Sequence, residues 1–511
     1  MRSFPSSRFS GLRKAPELYL GLAGQAALAC AFVVPLNGQV ASQDDLAKKV
    51  QVLTDAANRT QERLEESQRQ LEELRRQIAD IRKQMAAVSE NARPTADEQR
   101  LATAVEEVKE TQTVQQSQIA THEQAKVESE SKYPVKVTGL ILLNGFVNTR
   151  QVDMPATPTI AQPGSGSTGA TLRQTVIGIN GKGPRFFGAQ SRADIRADFY
   201  GDAGGGDQGA AYSAAGLLRL RTAHTFLDWQ HTEVFFSLDR PLVSPNEPSS
   251  LTAIAVPPLA WSGNLWTWNP QLGVSQDVPL SSFRRLRLQA ALTDVADPSY
   301  DITGANATNA PPSTSERSRW PGVQARVALA GLQEGSGFQI GAGGYFTSHR
   351  TVYGGQYDSW AVTLDYRQPL PGRTQLNGTF YRGAALGGLG GGAYKDYGYR
   401  PDEDNPGVFY LRSFDAVGGW AELKERAGER LEFNEAFGTD SIPAGELRQY
   451  TGVAPAFYQS LLRTQTFTGN VIYSPSAWLL FSLEYRHLES WFVNSPSAAS
   501  NIVGFAAGYK F

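Results

Sequence analysis

The sequence predicts an all-β transmembrane barrel of about 16 antiparallel strands, preceded by an α-helical coiled-coil stalk. Three observations predict it. From Val135 to the C-terminus, apolar and polar residues alternate in runs of about ten, the length that crosses a bilayer when tilted. The connectors between those runs alternate between short and long. Upstream, an apolar seam repeats without a slip from Leu46 to Val88. Composition agrees. The 511 residues include 50 glycines, 10% aromatics and only 19% charged residues, yet mean hydropathy is negative at −0.34. A polytopic helical transporter needs several long apolar runs, and this chain has one, at its N-terminus. A net charge of −2 gives no basic field for nucleic acid. The one cysteine, Cys30, excludes a disulfide framework and a cysteine-ligated metal cluster.

Residues 1–41 read as a secretory signal peptide. Arg2, Arg8, Arg13 and Lys14 precede an apolar stretch at 18–36, and the small residues Val40, Ala41 and Ser42 follow. Gln25 and Pro35 make that stretch a poor membrane anchor, so cleavage near Ala41 is expected. Residues 42–132 read as a periplasmic coiled-coil stalk and tether. Leu46, Val50, Leu53, Ala57, Thr60, Leu64, Ser67, Leu71, Leu74, Ile78, Ile81, Met85 and Val88 are spaced alternately by four and three. That seam is too narrow for a helix packed on a globular core, and it predicts self-association into a rod about 60 Å long. Ile78 at an a position with Ile81 at d favours three strands over two. Pro94 ends the rod, a weaker helical stretch spans 101–126, and Tyr133-Pro134 closes the region.

Residues 133–511 read as the barrel. Arg192, Asp194, Arg196 and Asp198 alternate with Ala193, Ile195, Ala197 and Phe199. Arg285, Arg287 and Gln289 alternate with Leu286, Leu288, Ala290 and Leu292. Ser359, Thr363, Asp365 and Arg367 oppose Trp360, Val362, Leu364 and Tyr366. Such strands are wet on one face and oily on the other. Tight turns at 181–185, 426–429 and 474–477 alternate with long segments at 150–170, 297–319, 386–412 and 439–456. Short turns at one end and long loops at the other are the arrangement of outer-membrane barrels, and this size implies a water-filled interior.

The last segment carries a resemblance. Val503, Phe505, Ala507, Tyr509 and Phe511 alternate with small or polar residues and end the chain. This resembles the closing-strand signal by which Gram-negative barrels are recognised for insertion, with Phe505, Tyr509 and Phe511 as its aromatic positions. The wider pattern resembles general outer-membrane porins, and in particular DcaP-type porins with an N-terminal periplasmic coiled coil. It rests on KVTG at 136–139, RADIRADFYG at 192–201, RLRTAHTFLDWQHTEVFFSLDRPLVSP at 219–245, GWAELK at 419–424 and GYKF at 508–511. The resemblance implies a homotrimeric channel for passive diffusion of small hydrophilic solutes. It places the barrel in the outer membrane bilayer and the stalk in the periplasm, and implies insertion by the barrel-assembly machinery. It also implies that the loop after the fifth strand folds into the lumen. By strand count that loop is 241–271, with Trp261, Trp266 and Trp268 as its stiff constriction-forming part.

The other wall of the pore is read from the inward faces. Arg192, Asp194, Arg196, Asp198, Arg219, Arg221, Arg285, Arg287 and Arg326 are the candidate pore-lining residues. Fixed cations in a pore favour anions. Arg285 and Arg287 have no acid beside them on their own strand, so they are expected to carry most of that preference. The alternating Arg and Asp of 192–198 equally suit a wall braced by ion pairs. No cofactor or metal is expected: the five histidines have no ligand spacing. Catalysis finds no support, because Ser482 and His487 fall on opposite faces of one strand. The rival reading is a structural anchor whose stalk reaches peptidoglycan.

Overall fold

The computed structural model describes residues 134–201, 216–297, 312–332, 337–405, 408–452 and 456–511. The predicted signal peptide at 1–41 and the stalk at 42–132 lie outside the described residues. The barrel begins with β1 (Val135–Val152), β2 (Ala161–Thr171), β3 (Val176–Phe186), β4 (Ala189–Gly201), β5 (Leu217–Asp228) and β6 (Thr232–Asp239). It continues through β7 (Asn269–Pro279), β8 (Arg284–Thr293), β9 (Gly322–Gly331), β10 (Gln339–Arg350), β11 (Gln356–Leu370) and β12 (Thr374–Ala384). Two short strands, β13 (Tyr397–Pro401) and β14 (Phe409–Ser413), interrupt it before β15 (Asp415–Arg426) and β16 (Leu431–Ser441). The two-residue β17 (Thr451–Gly452) precedes β18 (Leu461–Tyr473), β19 (Leu479–Phe492) and β20 (Ser495–Lys510). Strands β14, β13 and β17 form a separate three-stranded sheet within the connectors.

The main sheet has 17 strands and closes through antiparallel pairing of β1 with β20, from Leu140 opposite Lys510 to Asn148 opposite Ile502. Strands β2 and β3 are two halves of one stave. Asn144 of β1 faces Thr171 at the end of β2, and Leu140 of β1 faces Val176 at the start of β3. The wall therefore has sixteen staves, the predicted number. Most staves run 10 to 16 residues, longer than ordinary soluble strands. The long connectors lie at one end, together with the short links 351–355 and 493–494; the start of β1, the end of β20 and the turns at 187–188, 427–430 and 474–478 share the other. In outer-membrane barrels the short-turn end is periplasmic and the long-loop end extracellular.

Two turn assignments change. The segment 181–185 is not a turn: β3 runs through it, and the reversal is at Phe187 and Gly188, both at positive φ. The segment 150–170 is not one long loop, because β1 extends to Val152 and β2 starts at Ala161. Proline, glycine and serine in β2 disguise a stave whose pairing is supplied by β1. Elsewhere the period of two holds. Leu272, Leu288, Leu292, Val323, Val327, Val362 and Leu364 form an exposed apolar outer surface, and their neighbours in sequence face inward.

Candidate functional site: the lumen and its inward loops

The connector between β6 and β7, residues 240–268, leaves the rim and runs along the inner wall; we call it loop A. The Val243 carbonyl accepts from Thr363 Oγ1 of β11 at 2.8 Å. Asn246 donates to the Tyr366 and Gly378 carbonyls and accepts from Arg367 at 2.9 Å. Further on, the Ser249 amide donates to Glu422 of β15, and Ser250 and Thr252 donate to Glu484 of β19. Asn144 of β1 holds the Leu251 carbonyl at 2.9 Å. The loop reaches Gln174, in the break between β2 and β3. The Gln174 side-chain oxygen accepts from the amides of Ile254 and Ala255, and its amide donates to Thr252. The interruption in that stave thus turns a glutamine inward to bracket the loop.

Loop A then doubles back. Leu259, Trp261 and Gly263 all have positive φ, and the Trp261 carbonyl accepts from Thr464 of β18. At Gly263 a Cβ would collide with the Gly419 carbonyl oxygen, so no other residue fits there without displacing backbone. Glu422 and Glu484 are 1% and 2% exposed. A carboxylate buried that deeply is tolerated because donors reach it, and here loop A supplies several of them.

A second inward segment, residues 385–396, was not anticipated as part of the lumen; we call it loop B. Its glycine-rich run at 387–392 lies buried inside the barrel. The amides of Gly392 and Ala393 donate to Asp440 of β16 at 3.1 and 2.6 Å, and the Tyr381 hydroxyl donates to the same carboxylate. Gly390, at φ 92°, packs so closely on Trp266 that a Cβ would overlap its ring. Lys395 is buried and donates through Nζ to the carbonyls of Ala393, Tyr458 and Leu461 at 2.7 to 2.8 Å. Burial pushes its pKa down to about 7, partly offset by the Asp440 charge.

The three tryptophans link these parts. Trp261 stacks on Tyr394 of loop B with centroids 3.8 Å apart. It meets Trp266 edge-on, and Trp266 meets Trp268 edge-on. The guanidinium groups of Arg219 and Arg221 lie 5.1 and 5.0 Å from the Trp268 ring. The aromatic chain runs from loop B to the arginine wall, so these residues bind loop A in place. Trp261 itself is buried.

The predicted pore-lining residues occupy two environments. On β4 to β6 several inward charges meet water, while Asp198 is fully buried and Arg221 only 15% exposed. Arg196 is 54% exposed and Arg192 39%, and Asp239 is 36% exposed. On β9 and β11, Arg326 and Asp365 form a buried pair at 2.6 Å. Arg285 and Arg287 have no acid on their own strand, but the neighbouring strand supplies one. Both hold Asp277 of the adjacent β7, at 2.9 and 2.8 Å. Cross-strand register brings this partner, since Arg287 sits directly opposite Asp277. Arg192 is similarly held by Asp228 and Glu233, at 2.6 and 2.7 Å. Arg219 grips Asp198 at 2.7 Å. The loosest pairs are Arg196 with Asp194 at 3.9 Å and Arg221 with Asp198 at 3.7 Å. His224 lies between Asp194 and Asp239, at 2.9 and 3.1 Å.

At the closing strand, Phe505, Tyr509 and Phe511 are exposed on the outer face. Phe511 exchanges two backbone hydrogen bonds with Gly139 of β1. Ser482 is buried on the inner face of β19. His487 lies on the outer face, bonded to Asn501.

No protein-family model matches the chain, and no curated protein does. Among solved structures, the crystal structure of the outer membrane channel DcaP of Acinetobacter baumannii is similar at a TM-score of 0.54 and 14% identity. The match covers 75% of this chain and 99% of that one. An anion-selective porin from Comamonas acidovorans gives a TM-score of 0.46 at 12% identity, over 74% of this chain and all of that one. Salmonella typhi OmpF in complex with daunomycin gives 0.45 at 10%, over 74% of this chain and 97% of that one. At 14% identity the likeness to DcaP establishes fold: the described chain has the barrel architecture of that outer-membrane channel.

Proposed function

We propose that the protein is an outer-membrane porin, a channel for passive diffusion of small hydrophilic solutes with a lean toward anions. One observation carries the reading. A closed sixteen-stave barrel keeps the inward Arg192, Arg196 and Asp239 of β4 to β6 in contact with water, while loops A and B cover the opposite wall. The conduit in this reading runs between loop A and the β4–β8 side of the wall. Arg196 and Arg221, the two cations held at the greatest distance from their acids, supply the anion lean. Loop A, with Trp261, Trp266 and Trp268, narrows the lumen. The heptad seam at 46–88 supports a homotrimer with its stalk in the periplasm, and the exposed Phe505, Tyr509 and Phe511 support delivery through the barrel-assembly machinery. Conductance of purified protein in planar bilayers tests the reading. Stepwise ohmic currents, with a reversal potential displaced toward anions in a salt gradient, are the expected result. A properly inserted barrel that passes no current would leave only the anchoring role.

A further inference from the structure

We propose that the extracellular rim of β12, β15, β16 and β18 holds the phosphorylated headgroup of an outer-leaflet glycolipid, between Arg382 and Arg463. The inference rests on the outer-membrane reading above. The register defines the place. Arg382 pairs with Val417, Val417 with Ser441, and Ser441 with Arg463, so the four residues form one row across four staves. At about 4.8 Å per strand the two arginines stand about 14 Å apart. Trp491 of β19 continues the row beside Arg463.

The row faces outward and lies at the rim. Arg382 shares the phase of Phe380, Ser441 that of Phe437, and Arg463 that of Phe467, and all three phenylalanines are exposed on the outer surface. Ser441 is the last residue of β16, and Arg382 lies two residues from the end of β12. Charge at this level meets headgroups, while charge lower on the same face would meet hydrocarbon. The Arg463 guanidinium stacks on the Trp491 ring at 3.7 Å, with its Nε buried and unbonded, and no acid among the described residues pairs with it. Stacking of this kind fixes the direction of the guanidinium fork. Arg382 is half exposed and is held by Asp415 at 2.6 Å. Between the two cations, Val417 and Ser441 are short side chains that leave a shelf.

The chemistry of the occupant follows. It needs anionic groups that match guanidinium forks, and phosphate does. It needs an apolar part to cover Phe380, Phe437 and Phe467 below the shelf. Two cations separated by two staves suit a headgroup with phosphates at both ends of a sugar pair better than a single phosphate.

The test uses the folded full-length protein in detergent, with binding read by native mass spectrometry. The probes are lipid A with two phosphates, lipid A with one phosphate, and inorganic phosphate as competitor. Arg382→Gln with Arg463→Gln is expected to weaken binding of the two-phosphate lipid about tenfold or more. The corresponding double lysine variant should retain part of it. Asp415→Asn, which releases Arg382, should tighten it. Folded-band migration and single-channel conductance should stay unchanged in all variants. Unaltered lipid binding in the double glutamine variant would overturn the proposal. So would equal binding of the one-phosphate lipid, or displacement of lipid by inorganic phosphate. A wild-type protein that binds the lipid in this way but conducts nothing would overturn the channel reading and leave the lipid site standing.

Discussion

The inner wall between β4 and β8 and the inner wall between β9 and β19 carry the same kinds of residue. Both have arginines and carboxylates at alternate positions. On the first, Arg192, Arg196 and Asp239 keep contact with water and pair across neighbouring staves. On the second, Arg326, Asp365, Glu422, Glu484 and Asp440 are buried. The covering material makes the difference. Loop A presents amides and hydroxyls to Glu422 and Glu484, and loop B presents amides to Asp440. A charge on the inner face of a barrel strand is therefore not by itself a charge in the pore. It becomes part of a hydrated wall or of a loop socket according to what crosses the lumen above it.

The sharpest way to break this comparison is to remove the cover. Replacing 247–264 by a short glycine-serine bridge should open the second wall to water and raise single-channel conductance severalfold in planar bilayers. Unchanged conductance would mean that loop A does not occupy conducting space. A smaller intervention acts on the same socket. Gly263→Ala adds a methyl group against the Gly419 carbonyl at a positive-φ position, a local cost of about 3 kcal/mol. The barrel should still fold, while loop A becomes sensitive to added protease. Full protease resistance would show that the turn at 259–263 can relax around the extra atom.

Much of this architecture was legible in the sequence, and the limits have physical causes. Alternation located the staves and their inward faces, because a side-chain period of two is a local property. The inward loop with Trp261, Trp266 and Trp268 was placed by strand count and resemblance. Pairing across strands was not legible. Asp277 lies ten residues before Arg287, and only the β7–β8 register sets them side by side. Loop B was missed because a glycine-rich segment between strands has no pattern of its own. Its signal is the buried Asp440 that receives its amides. Gln174 was missed for a related reason: a break within a stave looks like the end of a strand.

The comparison also sharpens within the hydrated wall. Arg196 and Arg221 stand 3.9 and 3.7 Å from their acids, whereas Arg285 and Arg287 hold Asp277 below 3 Å. Replacing Arg196 and Arg221 with Ser should move the zero-current potential toward cations in a salt gradient at low ionic strength. Replacing Arg285 and Arg287 with Ser should move it less per charge removed, because Asp277 already neutralises part of their field. Both shifts should shrink near 1 M salt, where the screening length is about 3 Å. A larger shift from the Arg285 and Arg287 pair would place the selective constriction near the end of the barrel where β8 begins.

The smallest effect concerns how firmly loop B closes its side of the lumen. Lys395 is buried, and its pKa in the folded protein falls to about 7, below the ordinary lysine value of 10.5. Between those two values the unfolded chain binds more protons at this site than the folded one, so the contribution to stability rises with pH. Below pH 7 both states are protonated and the contribution sits flat at its minimum. The Asp440 charge favours the charged form, and the Ala393, Tyr458 and Leu461 carbonyls accept from it. Tracking the loss of the folded band on heating between pH 7 and pH 10 should show the midpoint climbing by a few degrees at most. Lys395→Met removes the titration and should remove that climb, while losing the donor to three carbonyls and lowering the midpoint at every pH. An identical pH slope in the methionine variant would show that the climb comes from another group and that Lys395 stays charged in its socket.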